Sequence, residues 1–206
     1  MNYSQIISET ASKHFNVGDE FKENDYEENV EICKQDSLPF AVGAMNVTGD
    51  LNLGMMIRSA SLMGAERFFY YGRKKYDKRS TVGAQKYLPV IHYPTLTKGN
   101  VEIWQKAGSK YIPIFVEQTE SALGLEMPVN NEVWSMVEDM GKPLFIFGSE
   151  SEGIPNDFML GILTSMPGFI LSLPQRGVLR SFNVSSAMSV VCWEYTRHFN
   201  LRRNLR

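Results

Sequence analysis

Three stretches of the chain set amides, carboxylates, hydroxyls and arginines among glycines, the mixture that holds a phosphate or polar ligand against backbone. The first, Asn46–Arg58 (NVTGDLNLGMMIR), carries Asn52, Gly54 and Arg58. If a helix starts near Leu53, Arg58 lies more than one turn in, on the flank of an apolar face. An arginine there can grip a phosphate with two parallel hydrogen bonds, or it can be an exposed side chain that snorkels. The second, Gly148–Gly153 (GSESEG), directly follows the apolar run PLFIF. Glycine after a strand permits close backbone approach and positive φ. Glu150 is the acid fixed near the strand end, and Glu152 is expected to be more exposed. A plain strand-to-helix turn with a capping acid would read the same way. The third, Leu173–Ala187 (LPQRGVLRSFNVSSA), runs from a strand through Pro174, Arg176, Gly177 and Arg180 to Ser181 and Asn183. Ser181 or Asn183 could cap the helix that follows. Capping explains one residue. It does not explain two arginines, Gly177 and the small run SSA together.

Elements must bring these loops into one place. Phe40–Met45, Arg67–Tyr71, Val90–Tyr93, Tyr111–Val116, Pro143–Phe147 and Phe169–Leu173 read as short buried strands. Pro113 weakens the fourth of them. Helical spacing covers Leu53–Met63, with Gly64 placed to end it. Further helices are expected over Lys98–Lys106, over Asn131–Asp139 with Asn130 or Asn131 as cap, and from about Val184 to His198. Pro155 suits the first turn of another. Alternation of apolar strands and helices predicts an α/β fold, an open, mostly parallel sheet with helices on both faces. Ligands of such sheets bind outside the carboxyl ends of the strands, where the three loops lie.

Bulk properties set bounds. The 206 residues suffice for one domain with a short appendage. Apolar residues make up 43% and charged residues 21%, ordinary globular values. The net charge of -2 does not itself point to nucleic acid, so RNA binding would need a local basic patch. Cys33 and Cys192 are far apart and lack metal-ligand spacing, so neither a disulfide framework nor a metal site is expected. No apolar run approaches the roughly 18 residues of a membrane span, and MNYSQIISETASKHF lacks the apolar core of a signal peptide. A soluble, cytoplasmic protein is expected. Residues 1–36 read as an acidic N-terminal extension, 37–200 as the functional domain and 201–206 as a basic tail.

Taken in order, the three loops resemble the motifs of the SpoU (TrmH) family within the SPOUT superfamily. Asn52, Gly54 and Arg58 match N-x-G-x-x-x-R. Gly148, Glu150 and Gly153 match G-x-E-x-x-G. Pro174, Gly177, Ser181, Asn183, Val184, Ser185 and Ala187 match the closing motif. STVGAQKYLPV resembles a further family segment at Ser80, Gly83 and Ala84. The resemblance covers about residues 38–200. It implies a C-terminal trefoil knot, a rare exception to the usual rules of connection. It also implies S-adenosylmethionine as cofactor, a homodimer built on the last helix, and methylation of a ribose 2′-hydroxyl in RNA. On the same footing, Gly148, Leu173 and Phe182 would contact the cofactor through backbone, with Gly153, Pro174, Gly177 and Ser185 around it. Val116, Glu117 and Gln118 would lie near the adenine. Arg58 would bind the RNA phosphate and help activate the hydroxyl, a free arginine being a poor base. Asn52 and Glu150 would orient Arg58 and its loop, and Ser181 and Asn183 would hold the ribose. Met188, Val191 and Cys192 would supply the dimer face.

The acidic extension is too short for the RNA-binding domain that many rRNA-directed members carry, so the resemblance favours tRNA over rRNA. Arg58, Lys74, Lys75, Arg79, Arg176 and Arg180 are the candidate RNA contacts, with Arg67, Arg73, Lys78 and the basic tail nearby. Lysines in such a loop could equally be a solvated face. Tyr70, Tyr71 and Tyr76 could stack on bases, though such aromatics more often pack. Trp104, Trp134 and Trp193 read as packing residues, and His14, His92 and His198 show no catalytic pairing. A non-catalytic RNA-binding protein that keeps the knotted fold is the competing reading.

Overall fold

The computed structural model describes residues 17–45, 47–95, 111–125 and 130–204. The helix expected over 98–106, Trp104, His14, Asn46 and Arg206 lie outside the described residues, as do the side chains of Asn130, Asn131, Arg202 and Arg203.

Seven strands are present among the described residues: β1 (Leu38–Met45), β2 (Ala65–Tyr71), β3 (Val90–Tyr93), β4 (Tyr111–Val116), β5 (Leu123–Gly124), β6 (Lys142–Phe147) and β7 (Phe169–Ser172). They form one sheet in the order β3-β2-β1-β6-β4-β7-β5, and every pairing is parallel. All six expected strands are there, and the two-residue β5 was not expected. Pro113 is tolerated in a central strand because β4 pairs only with β6 at that level. Its ladder with β7 begins at Ile114.

The helices are α1 (Tyr26–Gln35), α2 (Asp50–Leu62), the single turn α3 (Lys78–Thr81), α4 (Asn130–Met140), α5 (Asn156–Leu163) and α6 (Val184–Asn204). Both faces of the sheet are covered, which is why every residue of β1 except Pro39 is buried. Phe40, Val42 and Ala44 face a core completed by Leu53, Met56, Ile57 and Ala60 of α2, Trp134 and Val137 of α4, and Met188, Val191, Cys192 and Tyr195 of α6. Ala41 and Met45 face the other side, where Met159 and Ile162 of α5 pack. Gly64 stops α2 with a left-handed φ of +77°.

Two expectations about α6 need correction. Met188, Val191 and Cys192 are fully buried against this chain's own sheet, so they are not free for a partner. The helix instead turns Val190 and Trp193 outward, and Trp193 is 60% exposed, not a packing residue of this core. Trp134 is buried, as expected.

The acidic N-terminal stretch is helical from Tyr26. Asp25 and Glu28 close a reciprocal capping box. Asn29 is buried and donates to the Phe21 carbonyl at 3.0 Å. The Tyr26 hydroxyl ties α1 to the body by donating to the Lys86 carbonyl at 3.0 Å.

Candidate active site

The strand order creates a switch point. From β1 the chain passes through α2 to β2 on one side, and from β6 through α5 to β7 beyond β4 on the other. The loops leaving the carboxyl ends of β1 and β6 therefore diverge from adjacent strands, the place where open α/β sheets form a crevice.

Glu150 closes that crevice from the β6 side. Its Oε2 accepts from the Thr48 backbone N–H at 3.1 Å and from the Thr48 hydroxyl at 3.2 Å. Its Oε1 accepts from Asn52 Nδ2 at 2.8 Å. Asn52 Oδ1 in turn accepts from Asn183 Nδ2 at 3.1 Å. Asn183 Oδ1 caps α6 through the Ser185 and Ser186 N–H groups at 2.9 and 3.4 Å, and takes the Ser185 hydroxyl at 2.6 Å. One run of hydrogen bonds thus joins all three loops. Burial works to raise the Glu150 carboxyl, but donation from Asn52, from its own backbone and from Thr48 outweighs this and holds it below the ordinary glutamate value. Glu150 is the fixed anion of the site.

Thr48 was not among the residues singled out in the sequence. Its place directly before a helix, in VTGD, is the signal that could have found it. Of the two candidate caps of α6, Asn183 does the capping. Ser181 makes no hydrogen bond among the described residues.

Arg58 stands apart from this run. It is exposed on α2, and no hydrogen bond or ion pair reaches it among the described residues. Asn52 and Glu150 hold the loop that leads into α2, but no hydrogen bond from either reaches Arg58: both ends of the Asn52 amide are engaged, by Glu150 and by Asn183.

The glycines explain how close the loops lie. A Cβ at Gly148 would sit 2.3 Å from the carbonyl carbon of Gly153, so only glycine lets the GSESEG loop fold back on itself. Ser149 and Gly153 close that fold with two backbone hydrogen bonds, of 3.0 and 3.3 Å. Gly177, by contrast, lies in open space, and the segment Arg176–Asn183 is exposed throughout. Phe182 is exposed with it, and Ser185 is buried with its hydroxyl committed to Asn183. Leu173 is buried, but its carbonyl receives Gln118 Nε2 at 2.7 Å.

The basic loop after β2 is stitched to the start of α2. Asp77 N–H donates to the Asp50 carbonyl at 3.0 Å, and Lys75 Nζ lies 2.7 Å from the Asp50 carboxylate. Arg79 is paired with Asp77 at 2.9 Å. Lys75 and Arg79 are thus partly neutralised. Lys74, Lys78, Arg176 and Arg180 are exposed and carry no ion pair among the described residues. Tyr70 and Tyr71 are buried, and Tyr76 packs edge-on against Tyr70 at 5.9 Å, so these rings build the core. Among the described residues, no group of three or more His, Cys, Asp or Glu could hold a metal ion, and no helix is long and apolar enough to cross a membrane. Both cysteines are free thiols.

The chain has counterparts among known proteins. A family model described as the SpoU rRNA Methylase family matches residues 39–193. The chain is 29% identical over 150 residues to the mouse (Mus musculus) protein named tRNA (guanosine(18)-2′-O)-methyltransferase TARBP1; the match covers 71% of this chain and 8% of the length of that relative. Its fold is similar to that of the A. aeolicus TrmH/SpoU tRNA modifying enzyme, with a TM-score of 0.66 at 17% identity, covering 86% of this chain and 85% of that one. It is also similar to the SpoU methyltransferase AviRb from Streptomyces viridochromogenes, solved in complex with the cofactor AdoMet. There the TM-score is 0.60 at 23% identity, covering 80% of this chain and 58% of that one.

Proposed function

Because the chain belongs to the SpoU rRNA methylase family, we propose that it transfers the methyl group of S-adenosylmethionine to a ribose 2′-hydroxyl of RNA, and that the RNA is a tRNA. The observation that carries this reading is the run Thr48–Glu150–Asn52–Asn183, which draws all three loops together at the start of α2, the helix that carries Arg58. Two of the relatives named above modify tRNA, which favours tRNA over the rRNA of the family's name.

The residues fit the cofactor. Side-chain-free backbone is presented at Gly177, where an added Cβ would meet nothing within 4 Å. Two carboxylates, Glu150 and Glu117, are held at the GSESEG loop by hydrogen bonds, which suits a cationic ligand. When bound, S-adenosylmethionine supplies a methyl group activated on a sulfonium, whose transfer needs no metal. Gly148, Leu173 and Phe182 would hold it through backbone groups. Arg58 receives an RNA phosphate as a paired donor, which sets the ribose in line with the methyl group. Alignment is the main task left to the protein. The chain's own part would be to hold the ribose 2′-oxygen toward that methyl group while the hydroxyl proton is released to solvent. Lys74, Arg176 and Arg180 extend the contact along the RNA backbone.

The reading includes a trefoil knot in the C-terminal half and a homodimer. The insertion of β7 between β4 and the earlier β5 supports the first. The second draws support from an outward apolar stripe on two packed helices, Leu51, Met55 and Leu62 of α2 beside Val190 and Trp193 of α6. A second copy can cover such a stripe symmetrically.

The test is mass spectrometry of nucleosides from tRNA and rRNA fractions incubated with protein and S-adenosylmethionine. The wild type is expected to form a 2′-O-methyl nucleoside in tRNA. Arg58→Ala is expected to lose on the order of a hundredfold in rate through misplaced substrate. A base-methylated product would overturn the ribose assignment. Cofactor and RNA binding without any product would favour a non-catalytic RNA-binding protein.

A further inference from the structure

β4 lies between β6 and β7, so whatever leaves its carboxyl end stands between the two loops of the crevice. Glu117 and Gln118 leave there. Glu117 N–H extends the β4–β7 ladder by donating to the Leu171 carbonyl at 3.0 Å. Its carboxylate then turns toward the β6 side, where Oε2 accepts from the Ile154 N–H at 2.8 Å. Its other oxygen accepts from the Gln118 N–H at 3.0 Å. The Gln118 side chain turns the opposite way and donates to the Leu173 carbonyl at 2.7 Å.

We propose that Glu117 and Gln118 are positioning residues, a clasp across the end of β4 that sets the spacing between the GSESEG loop and the loop after β7. The resemblance put Glu117 beside the adenine. Both its carboxylate oxygens accept from backbone N–H groups of this chain, one of them in the neighbouring loop. The fit is specific to this arrangement. Gly153 has a left-handed φ of +65°, and a Cβ there would lie 2.4 Å from Glu117 Oε2. The last glycine of the GSESEG loop is therefore required by the clasp as well as by its own backbone. A charged acceptor makes stronger hydrogen bonds than a neutral one, and it is what satisfies the amide of buried Ile154. With the clasp closed, the Gly148–Ile154 backbone and the Leu173 carbonyl are held at one fixed separation.

That these loops hold S-adenosylmethionine rests on the methyl-transfer reading; the clasp itself does not. The test uses the full chain with Glu117→Ala, Glu117→Gln and Gln118→Ala. Exchange of the Ile154 amide with deuterium is followed by NMR, and S-adenosylmethionine binding by calorimetry. Glu117→Ala is expected to lose about tenfold or more in Ile154 protection and a similar factor in cofactor affinity, from loss of a hydrogen bond to a charged group. In turnover, KM for the cofactor rises by more than kcat falls. Glu117→Gln keeps an acceptor for the Ile154 N–H and restores most of both. Gln118→Ala changes an exposed side chain, weakens cofactor binding with Ile154 still protected, and serves if Glu117→Ala does not fold. Wild-type protection at Ile154 in Glu117→Ala would overturn the clasp. So would loss of cofactor binding in Glu117→Gln with Ile154 protected, because the carboxylate would then touch the cofactor itself. If the wild type binds no S-adenosylmethionine, the methyl-transfer reading fails, and the Ile154 exchange still decides the clasp.

Discussion

At Gly54 the site helix meets the basic loop more closely than any side chain allows. A Cβ there would sit 1.8 Å from Ser80 Oγ and 2.6 Å from the Asp77 carbonyl oxygen. Ser80 cannot simply swing away, because its hydroxyl donates to that same carbonyl at 2.7 Å. Two effects of Gly54→Ala oppose each other. Alanine is better than glycine inside a helix by about 0.5–1 kcal/mol. Overpacking against backbone costs about 1–3 kcal/mol. Contact with a carbonyl wins, so Gly54→Ala should lower the thermal midpoint, and Gly54→Ala/Ser80→Gly should recover part of the loss. An unchanged midpoint in the single variant would show that the loop yields freely. The same closeness fixes where the cations stand: Lys74, Lys75 and Arg79 follow the loop wherever Gly54 seats it.

At the scale of elements, Asn183 does two jobs that one substitution can separate. Its side-chain oxygen caps α6, and its side-chain nitrogen reaches Asn52. Asn183→Asp keeps an oxygen for the cap but has no N–H for Asn52. It should melt near the wild type yet methylate more slowly, while Asn183→Ala should lose about 1 kcal/mol of stability as well. Equal melting of the two variants would remove the capping role. This division could not be read from the chain, whose pattern marked Ser181 and Asn183 as alternatives. The strands were legible because burial on both faces makes each one a continuous apolar run, as in FAVGAM and PLFIF. β5 was not, since two residues carry no period. The candidate residues were legible one by one. Their partnerships were not, because Asn52 lies 98 residues from Glu150 and 131 from Asn183, and only the strand order brings them together. α6 misled for a simpler reason. It is apolar on both sides, so periodicity could not tell Met188, facing the sheet, from Trp193, facing out.

For the whole molecule, the net charge of -2 hides a division. Residues 17–36 hold eight carboxylates and two lysines, a net of -6, which leaves the remaining residues at a net +4. Three of those four charges are Arg202, Arg203 and Arg206 of the tail, so residues 37–200 are near neutral at a net +1, and RNA would have to meet local cations such as Lys74, Lys78, Arg176 and Arg180. The exposed apolar stripe belongs to this scale too. Leu62 is 78% exposed and Trp193 60%, on helices that pack together. If a second copy covers them, Leu62→Lys/Trp193→Lys should convert a dimer into a monomer in light scattering at an unchanged fold. A dimer that survives both charges would place the interface elsewhere. The strand order has a further consequence, for the making of the protein. β6 fills the gap between β1 and β4, and β7 the gap between β4 and β5, so each of these two interior places is taken by a strand translated after its neighbours. A nascent chain on the ribosome must keep those apolar edges apart and unpaired until Leu173 has emerged. For that interval it depends on whatever shields open sheet edges from one another, because its own hydrogen-bonding partners have not yet been synthesised.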